Sequence, residues 1–214
     1  MPKLSTRDRL IFTALRLFAE KGYTSTSIAD VRQAADVHSG SLYHFFPGKQ
    51  ELLLAVLDAY RGGIEPMLLQ PAWAGVADPI EKIFALLGRY RDSLLQTECQ
   101  YGCPIGSLAL ELHEPDPAVR ELLARNFEGW VRAVRGCLDD ARARLPAGCN
   151  TRELAEFVLT TMEGAVMQAR THRDIKYFDA SVRQLRNYFE LLGAIKPGAA
   201  RKPKSSPNKR RKPK

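Results

Sequence analysis

Residues 24–54 read TSTSIADVRQAADVHSGSLYHFFPGKQELLL, and the rest of the chain is organised around them. Ser27 precedes an apolar run and Asp30 follows three residues later, which is a capping-box pattern with Asp in place of Glu or Gln. The pattern predicts a helix that begins after Ser27 and ends near Ala34–Ala35. Asp36 then lies where the chain must turn. Asp suits this position, because it tolerates the left-handed conformation that such turns often require.

A second, very short helix is predicted from Ser39 to Phe45. Its N-terminal end carries small residues that form hydrogen bonds, and Pro47-Gly48 ends it. A short helix of this kind can enter the major groove of DNA and present side chains to base edges. The two helices and the turn between them therefore indicate a helix-turn-helix motif.

The ordered series of pieces is similar to a known family. Gly22-Tyr23, 26–31, 37–46 and Lys49 with Leu52-Leu53 resemble the N-terminal domain of the TetR family of bacterial transcriptional repressors. The resemblance spans about residues 7–57. Two positions depart from the common family pattern, since the turn residue, often Gly, is Asp36, and a position that is often Lys is Ser39. The resemblance implies an all-α protein of about nine helices, with a three-helix DNA-binding domain followed by a larger ligand-binding and dimerisation domain.

The candidates for DNA contact fall into two groups. Residues at positions that match family phosphate contacts are Thr26, Ser27, Tyr43 and Lys49. Candidates for base-edge contact are His38, Ser39, Ser41 and His44, and Gly40 removes bulk where the backbone approaches a phosphate. Other roles stay open, namely a half-buried core ring for Tyr43 and helix capping for His38 and Ser39. Phosphate contacts supply affinity, whereas base contacts set the sequence that is bound.

Charge is distributed unevenly over the 214 residues, whose net charge is +8. Residues 196–214 hold nine Lys or Arg and no acid, residues 1–49 have a net charge of +3, and the middle has a net charge of −4. We expect a DNA-binding domain at 1–48, an effector-binding and dimerisation domain at 49–195, and a disordered basic tail at 196–214. The tail is open to three interpretations: a solubilising segment, an electrostatic arm on DNA, or a nuclear-localisation signal.

Several classes of protein are disfavoured by the sequence. The longest apolar runs are too short to span a membrane, and the N-terminus lacks the features of a signal peptide, so we expect the cytoplasm. The four cysteines should then be thiols. Cys99, Cys103 and His113 are close in sequence, but neither a zinc-site spacing nor a nucleophile with its base is present, so we expect no enzyme, metal or cofactor.

The body of the chain shows helical periodicity throughout. The last two predicted helices are apolar over more than one stripe, which favours burial of one face in a partner. The resemblance implies that they form a two-fold, four-helix interface in a homodimer that binds a palindromic operator of double-stranded DNA. The predicted body helices cover residues 49–61, 79–98, 105–113, 117–145, 152–171 and 179–193, with a loop at 70–78.

An effector site in the body is the remaining hypothesis. The aromatic and sulfur-containing residues proposed to line it are Phe84, Tyr90, Phe127, Trp130, Met162 and Met167, all of which are equally good core residues. The segment 101–106 is similar to the Gly-Cys segment of some TetR-like regulators that respond to electrophiles or oxidants. Cys103 would lie near a helix N-terminus, which lowers a thiol pKa. The effector is therefore either an unknown small molecule or an electrophile, and the alternative for Cys103 is an inert buried thiol.

A second function stays open at this point. The protein could bind nucleic acid without sequence preference, with the basic tail dominating the affinity. Such a protein would bind any duplex equally and lose binding when the tail is deleted.

Overall fold

A computed structural model describes residues 4–194, and within this range all regular secondary structure is helical. The all-α architecture predicted from the sequence is confirmed, with ten α-helices in the described range, one of them a single turn. The helices are α1 (Thr6–Lys21), α2 (Ile28–Ala34), α3 (Ser39–Phe45), α4 (Lys49–Ile64), α5 (Gln70–Trp73), α6 (Pro79–Gln96), α7 (Pro104–Glu111), α8 (Pro117–Asp140), α9 (Thr151–His172) and α10 (Lys176–Ala194).

The first three helices form the predicted helix-turn-helix unit, and their ends follow from local capping. The Ser27 hydroxyl accepts the Asp30 backbone N–H at 3.1 Å, and the Asp30 carboxylate accepts the Ser27 N–H at 2.8 Å. This reciprocal pair satisfies two N–H groups that the first turn of a helix leaves free. Asp36 adopts a φ of 51° after α2, which confirms the left-handed turn. The core of the unit is apolar and includes Leu10, Val31 and Leu42.

The helix that leaves this unit is longer than the sequence suggested. The predicted end near residue 61 is wrong, because α4 runs through Gly62-Gly63 and continues into a π-helical turn at Glu65–Leu69 and then α5. The predicted loop at 70–78 is wrong at its start, which α5 covers, and is confirmed at 74–78, which lie outside any helix. In that turn the Gln70 N–H reaches back five residues to the Glu65 carbonyl. The wider turn accommodates Pro66, which has no N–H to donate.

The break between α6 and α7 occurs where the sequence predicted it. Glu98 and Cys99 both have positive φ angles, 49° and 56°, which end the helix without glycine. The Arg173 guanidinium donates to the Cys99 carbonyl at 3.0 Å, so α9 holds this irregular segment in place. Cys103 then lies at the N-cap of α7, with Pro104 as the first helical residue.

The remaining helices pack around the body core. Helix α9 packs on both α8 and α10, and α4 packs on both α1 and α8. Helix α8 ends at Asp140, earlier than the predicted 145, and a short 3₁₀ turn follows at Arg142–Arg144. Since α4 belongs to both packing groups, it is the physical connection between the two predicted domains. The predicted basic tail, 196–214, lies outside the described residues.

Candidate functional site

The recognition-helix candidate α3 presents an exposed polar face. The side chains of His38, Ser39, Tyr43 and His44 are exposed, and Ser41 is half-buried, while Leu42 on the opposite face is buried in the core. The Tyr43 ring is 54% exposed, so it is not the core ring that was its alternative interpretation. His38 occupies the N-cap position, but its side chain makes no capping hydrogen bond. These side chains are therefore available to a partner on one surface.

Lys49 lies beside this face, at the start of α4. Its Nζ is 4.1 Å from the centre of the Tyr23 ring and donates to the Thr24 carbonyl at 3.4 Å. Burial lowers the pKa of Lys49, and the carboxylates of Glu111 and Asp30 act in the opposite direction. Lys49 is thus held against the loop between α1 and α2, within the same domain as the exposed α3 face.

Two further candidates lie at the beginning of α2. Ser27 is exposed and caps the helix, whereas Thr26 is completely buried. The Thr26 hydroxyl donates to the Gly22 carbonyl at 2.7 Å and lies 3.3 Å from the Leu17 carbonyl. In this structure its side chain therefore ties α1 to α2, and only its neighbour Ser27 is accessible. Gly40 is exposed, and a methyl group at its Cα would meet no atom within 4 Å.

An interdomain chamber lies between the DNA-binding unit and the body. It has a volume of about 230 Å³ and apolar walls for the most part. Its lining comes from α1 (Phe12, Leu15), α4 and the following turn (Ala59, Tyr60, Gly63, Ile64, Met67, Leu68), α6 (Arg89, Tyr90, Ser93, Leu94), the segment before α7 (Tyr101, Gly102, Pro104) and α9 (Val166). A molecule in this chamber would contact both domains at once.

A much smaller cavity lies deeper in the body, with a volume of about 10 Å³, and shares Tyr60, Ile64 and Tyr90 with the chamber. Three buried polar atoms of its lining make no hydrogen bond of ordinary geometry to the protein: Asn126 Oδ1, Trp130 Nε1 and Glu163 Oε1. Tyr90 still lies close enough to Trp130, and Cys103 close enough to Glu163, for weaker polar contact. Unpaired buried polar groups are costly, about 1–3 kcal/mol each, and are uncommon in native proteins. We call these three residues the polar floor. They supply two acceptors and one donor.

The same cavity contains the Cys103 thiol. Burial raises the pKa of Cys103, the Glu163 carboxylate raises it further, and the backbone N–H groups of Gly106 and Ile105 only partly oppose them. The prediction that the helix N-terminus lowers this pKa is therefore wrong, because desolvation outweighs the helix dipole. Burial also raises the pKa of Glu163. Cys103 is 5% exposed and is a thiol, as are the other three cysteines.

Two family models match the chain. Residues 10–56 match the model described as bacterial regulatory proteins of the tetR family, and residues 79–184 match the C-terminal domain of LmrA/YxaF-like transcriptional regulators. The chain belongs to the TetR family. It is accordingly a transcriptional regulator with a helix-turn-helix DNA-binding domain, as the sequence resemblance implied.

Relatives of this TetR-family regulator cover most of its length. An uncharacterised helix-turn-helix regulator of Mycobacterium tuberculosis is 34% identical over 85% of this chain and 92% of its own. The repressor DhaR of a Mycobacterium species is 25% identical over 84% of this chain and 89% of its own. A crystal structure of a TetR regulatory protein from Rhodobacter sphaeroides superposes with a TM-score of 0.78 and 26% identity, covering 86% and 98% of the two chains. TetR-family regulators bind DNA, typically as dimers.

The structure divides the seven predicted effector residues of this TetR-family regulator. Tyr90, Cys103, Phe127 and Trp130 line the small cavity together. The other three lie elsewhere. Phe84 packs edge-on against Phe189, with ring centres 5.7 Å apart, Met162 is buried in the core, and Met167 is 47% exposed on α9.

The sequence reasoning missed Tyr60, Asn126 and Glu163. A signal was present for the last two, since each is a polar residue within an otherwise apolar stripe of a long helix. Asn126 Nδ2 donates to the Leu57 carbonyl at 3.1 Å and to the Leu122 carbonyl at 2.8 Å. The amide therefore joins the cavity wall to the connecting helix α4.

A surface on the last two helices of the TetR-family regulator carries exposed apolar side chains. Phe157 and Tyr188 pack edge-on with ring centres 5.5 Å apart, and both remain more than 40% exposed. Leu191 is 67% exposed on α10. Large apolar side chains grouped on an exposed helical face are typical of an interface between subunits.

Neither a metal site nor a membrane span is found in the part of the chain that the structure describes. Between residues 4 and 194, no three His, Cys, Asp or Glu side chains are placed to hold one metal ion, so Cys99, Cys103 and His113 do not converge. None of the helices in that range combines the length and the hydropathy needed to cross a bilayer.

Proposed function

We propose that this TetR-family regulator is a homodimeric repressor that binds a palindromic operator and is released from it by a small-molecule effector. The observation that carries the proposal is the chamber, a mostly apolar space of about 230 Å³ that is lined by residues of both domains. A mostly apolar space with a few polar groups is typical of a small-molecule site, and a molecule in it would contact α1 of the DNA-binding unit and the connecting helix α4 together.

DNA recognition is assigned to the exposed face of α3. His38, Ser39, Ser41 and His44 contact base edges, while Ser27, Tyr43 and Lys49 contact phosphates, with the backbone at Gly40 approaching closely. For Thr26 the buried hydroxyl, which donates to the Gly22 carbonyl, supports a structural role inside the domain. The dimer is supported by the exposed apolar surface of α9 and α10, since two-fold symmetry matches two half-sites about 34–36 Å apart.

The chemistry of the effector follows from the lining. The chamber is mostly apolar, so the effector has an apolar body, and the polar side chains that line the chamber itself, such as Tyr60, Arg89 and Ser93, are the groups that hydrogen-bond to it. The raised pKa of Cys103 favours non-covalent binding over attack on an electrophile, because the thiolate is the nucleophile. Occupancy shifts the balance between two orientations of the DNA-binding domain, typically with a coupling of about 1–3 kcal/mol.

The deciding experiment titrates the full-length protein and a 1–196 truncation against DNA upstream of its own gene, with random duplex as control, at two salt concentrations. A preference for the upstream DNA that survives truncation supports a specific regulator. Equal binding to both DNAs that is abolished by truncation would mean that the basic tail carries the function, and the repressor proposal would be wrong.

A ligand-independent test of the chamber uses Ala59→Phe, which adds an aromatic ring inside the chamber. Its control is Ala124→Phe on the exposed face of α8. We expect the chamber variant to lower the affinity for the preferred DNA while the control leaves it unchanged. If both variants bind like the natural protein, occupancy of the chamber does not govern DNA release.

A further inference from the structure

Helix α7 joins the effector cavity to the DNA-binding domain. Its N-terminal end carries Cys103 and packs against Glu163 of the polar floor, and its C-terminal end is Glu111. At 1.5 Å per residue, its eight residues span about 12 Å as one hydrogen-bonded unit. A displacement at one end is therefore transmitted to the other, provided that both ends are held.

Glu111 holds the C-terminal end. Its carboxylate accepts the backbone N–H of Tyr23 at 2.9 Å and that of Thr24 at 2.6 Å, residues 88 and 87 positions earlier in the chain. Both donors belong to the loop between α1 and α2. A charged acceptor with two backbone donors is a strong arrangement, because hydrogen bonds to ionised groups are roughly twice as strong as neutral ones.

Gly22 is shaped for this contact. Its φ of 86° lies in the region that favours glycine, and a methyl group at its Cα would lie 3.1 Å from one Glu111 carboxylate oxygen and 3.2 Å from the other. A side chain here would be strained by the backbone and pressed against the carboxylate. The absence of a side chain at Gly22 thus allows the loop backbone to lie against the Glu111 carboxylate of α7.

The gripped loop also holds Lys49. Lys49 Nζ lies over the ring of Tyr23 and donates to the Thr24 carbonyl. Glu111 and Lys49 therefore contact the same two residues, Glu111 at their backbone N–H groups and Lys49 at the Tyr23 ring and the Thr24 carbonyl. Burial alone would raise the pKa of Glu111, but the hydrogen bonds from Thr24 and Tyr23, together with the Lys49 charge, leave it lowered. The carboxylate is therefore ionised at neutral pH.

The N-terminal end of α7 has equally little freedom. A methyl group at Gly106 would overlap the Glu163 carboxylate, so the α7 backbone and the polar floor are in direct contact. If the Glu163 carboxylate moves toward α7, the α7 backbone must therefore move with it.

We propose that Glu111 is the positioning residue through which α7 sets the placement of the α1–α2 loop and Lys49, so that a change at the Glu163 end of α7 reaches the DNA-binding surface. The inference rests on the proposed function for its consequence, namely altered DNA affinity. The grip itself is a property of the protein alone.

The first test measures hydrogen exchange at the Tyr23 and Thr24 amides in the full-length protein without DNA. Glu111→Ala should accelerate exchange at both amides about tenfold to a hundredfold, the range expected for losing hydrogen bonds to a charged group. Glu114→Ala, an exposed glutamate three residues away, is the matched control and should leave both amides unchanged. Glu111→Gln keeps one carbonyl acceptor and should restore protection in part. Unchanged exchange in Glu111→Ala would overturn the proposal.

The second test asks whether a change at the Glu163 end of α7 reaches the DNA-binding surface through Glu111. Gly106→Ala and Glu163→Gln each alter the other end of α7, the second without adding volume, and each is combined with Glu111→Ala. We expect either change to shift the affinity for the preferred DNA in the natural background and to lose most of that effect when Glu111 is absent, since coupled residues are not additive. Equal effects in both backgrounds would refute transmission through Glu111.

The two tests separate this inference from the proposed function. If the protein prefers no DNA sequence but exchange still accelerates in Glu111→Ala, the repressor proposal fails and the grip stands. If it binds DNA specifically and exchange is unchanged, the grip fails and the repressor proposal stands.

Discussion

Asn126 of α8 donates a hydrogen bond to the carbonyl oxygen of Leu57 in α4 at 3.1 Å. The contact joins the wall of the small body cavity to the helix that carries the DNA-binding domain. Asn126 uses its amide nitrogen for this bond and for a second one to Leu122, while its carbonyl oxygen remains unpaired in the cavity. One side chain therefore serves both the connection and the candidate binding site.

This geometry predicts an asymmetric response to substitution. Asn126→Leu replaces the amide with an apolar group of similar size and should change the free energy of unfolding by no more than about 1 kcal/mol. Asn126→Asp should cost more, about 1–3 kcal/mol, because it places an unpaired buried acceptor against the Leu57 carbonyl. Urea denaturation of both variants measures the difference. Equal stabilities would contradict the assignment of the amide nitrogen as donor.

The reactivity of Cys103 is the second prediction. Because burial and Glu163 raise the pKa of its thiol, iodoacetamide at neutral pH should modify the more exposed Cys149 well before Cys103. Glu163→Gln should speed the modification of Cys103, whereas Glu156→Gln, an exposed change on the same helix, should not. Peptide mass spectrometry over time distinguishes the sites. Fast modification of Cys103 in the natural protein would restore the electrophile sensor as the better account.

The pH dependence of the grip between α7 and the α1–α2 loop is the third prediction. The folded-state pKa of Glu111 is lowered below 4.5, so its contribution to stability is present above that pH and is lost as the pH falls through the lowered value. The stability difference between the natural protein and Glu111→Gln should therefore be constant near neutrality and shrink in acid. Denaturation at a series of pH values tests the sign, and a difference that grows in acid would contradict it.

Phosphate and base contacts on the DNA-binding surface should respond differently to mutation. Lys49→Ala should weaken binding to all duplexes and reduce the slope of log affinity against log salt by about 1. His44→Ala should weaken binding to the preferred DNA by about 1–3 kcal/mol and leave random duplex unaffected. Titrations against both DNAs at several salt concentrations separate the two patterns. If both variants gave the same pattern, the assignment of Lys49 to phosphates and of His44 to base edges would be wrong.

The surface on α9 and α10 should govern self-association. Leu191→Asp places a charge among exposed apolar side chains, and an unpaired charge at a buried interface costs several kcal/mol, so the dimer dissociation constant should rise about a hundredfold or more. Ala124→Asp introduces the same charge on the exposed face of α8, away from the α9–α10 surface, and is the control. Sedimentation equilibrium measures both, and an unchanged dimer in Leu191→Asp would place the interface elsewhere.

The helix-turn-helix unit was predictable because its determinants are local. The Ser27–Asp30 capping box, the turn at Asp36 and the end of α3 before Pro47-Gly48 each depend on residues within four positions of one another. Local sequence also placed the N-caps of α6 and α8 at Asp78 and Asp116. The sequence misjudged the end of α4, since a π-helical turn that carries the chain past Pro66 is stabilised by packing that no short window contains.

The helical architecture, the DNA-binding unit and the family of this protein follow from its sequence, because periodicity, capping and turn residues act over a few positions along the chain. Tertiary structure alone decided which residues line the cavity, that the Cys103 thiol has a raised pKa, and that Glu111 reaches Tyr23 and Thr24. Each of these depends on desolvation or on contacts between segments far apart in sequence. Neither burial nor such a contact is specified by the residues on either side of it.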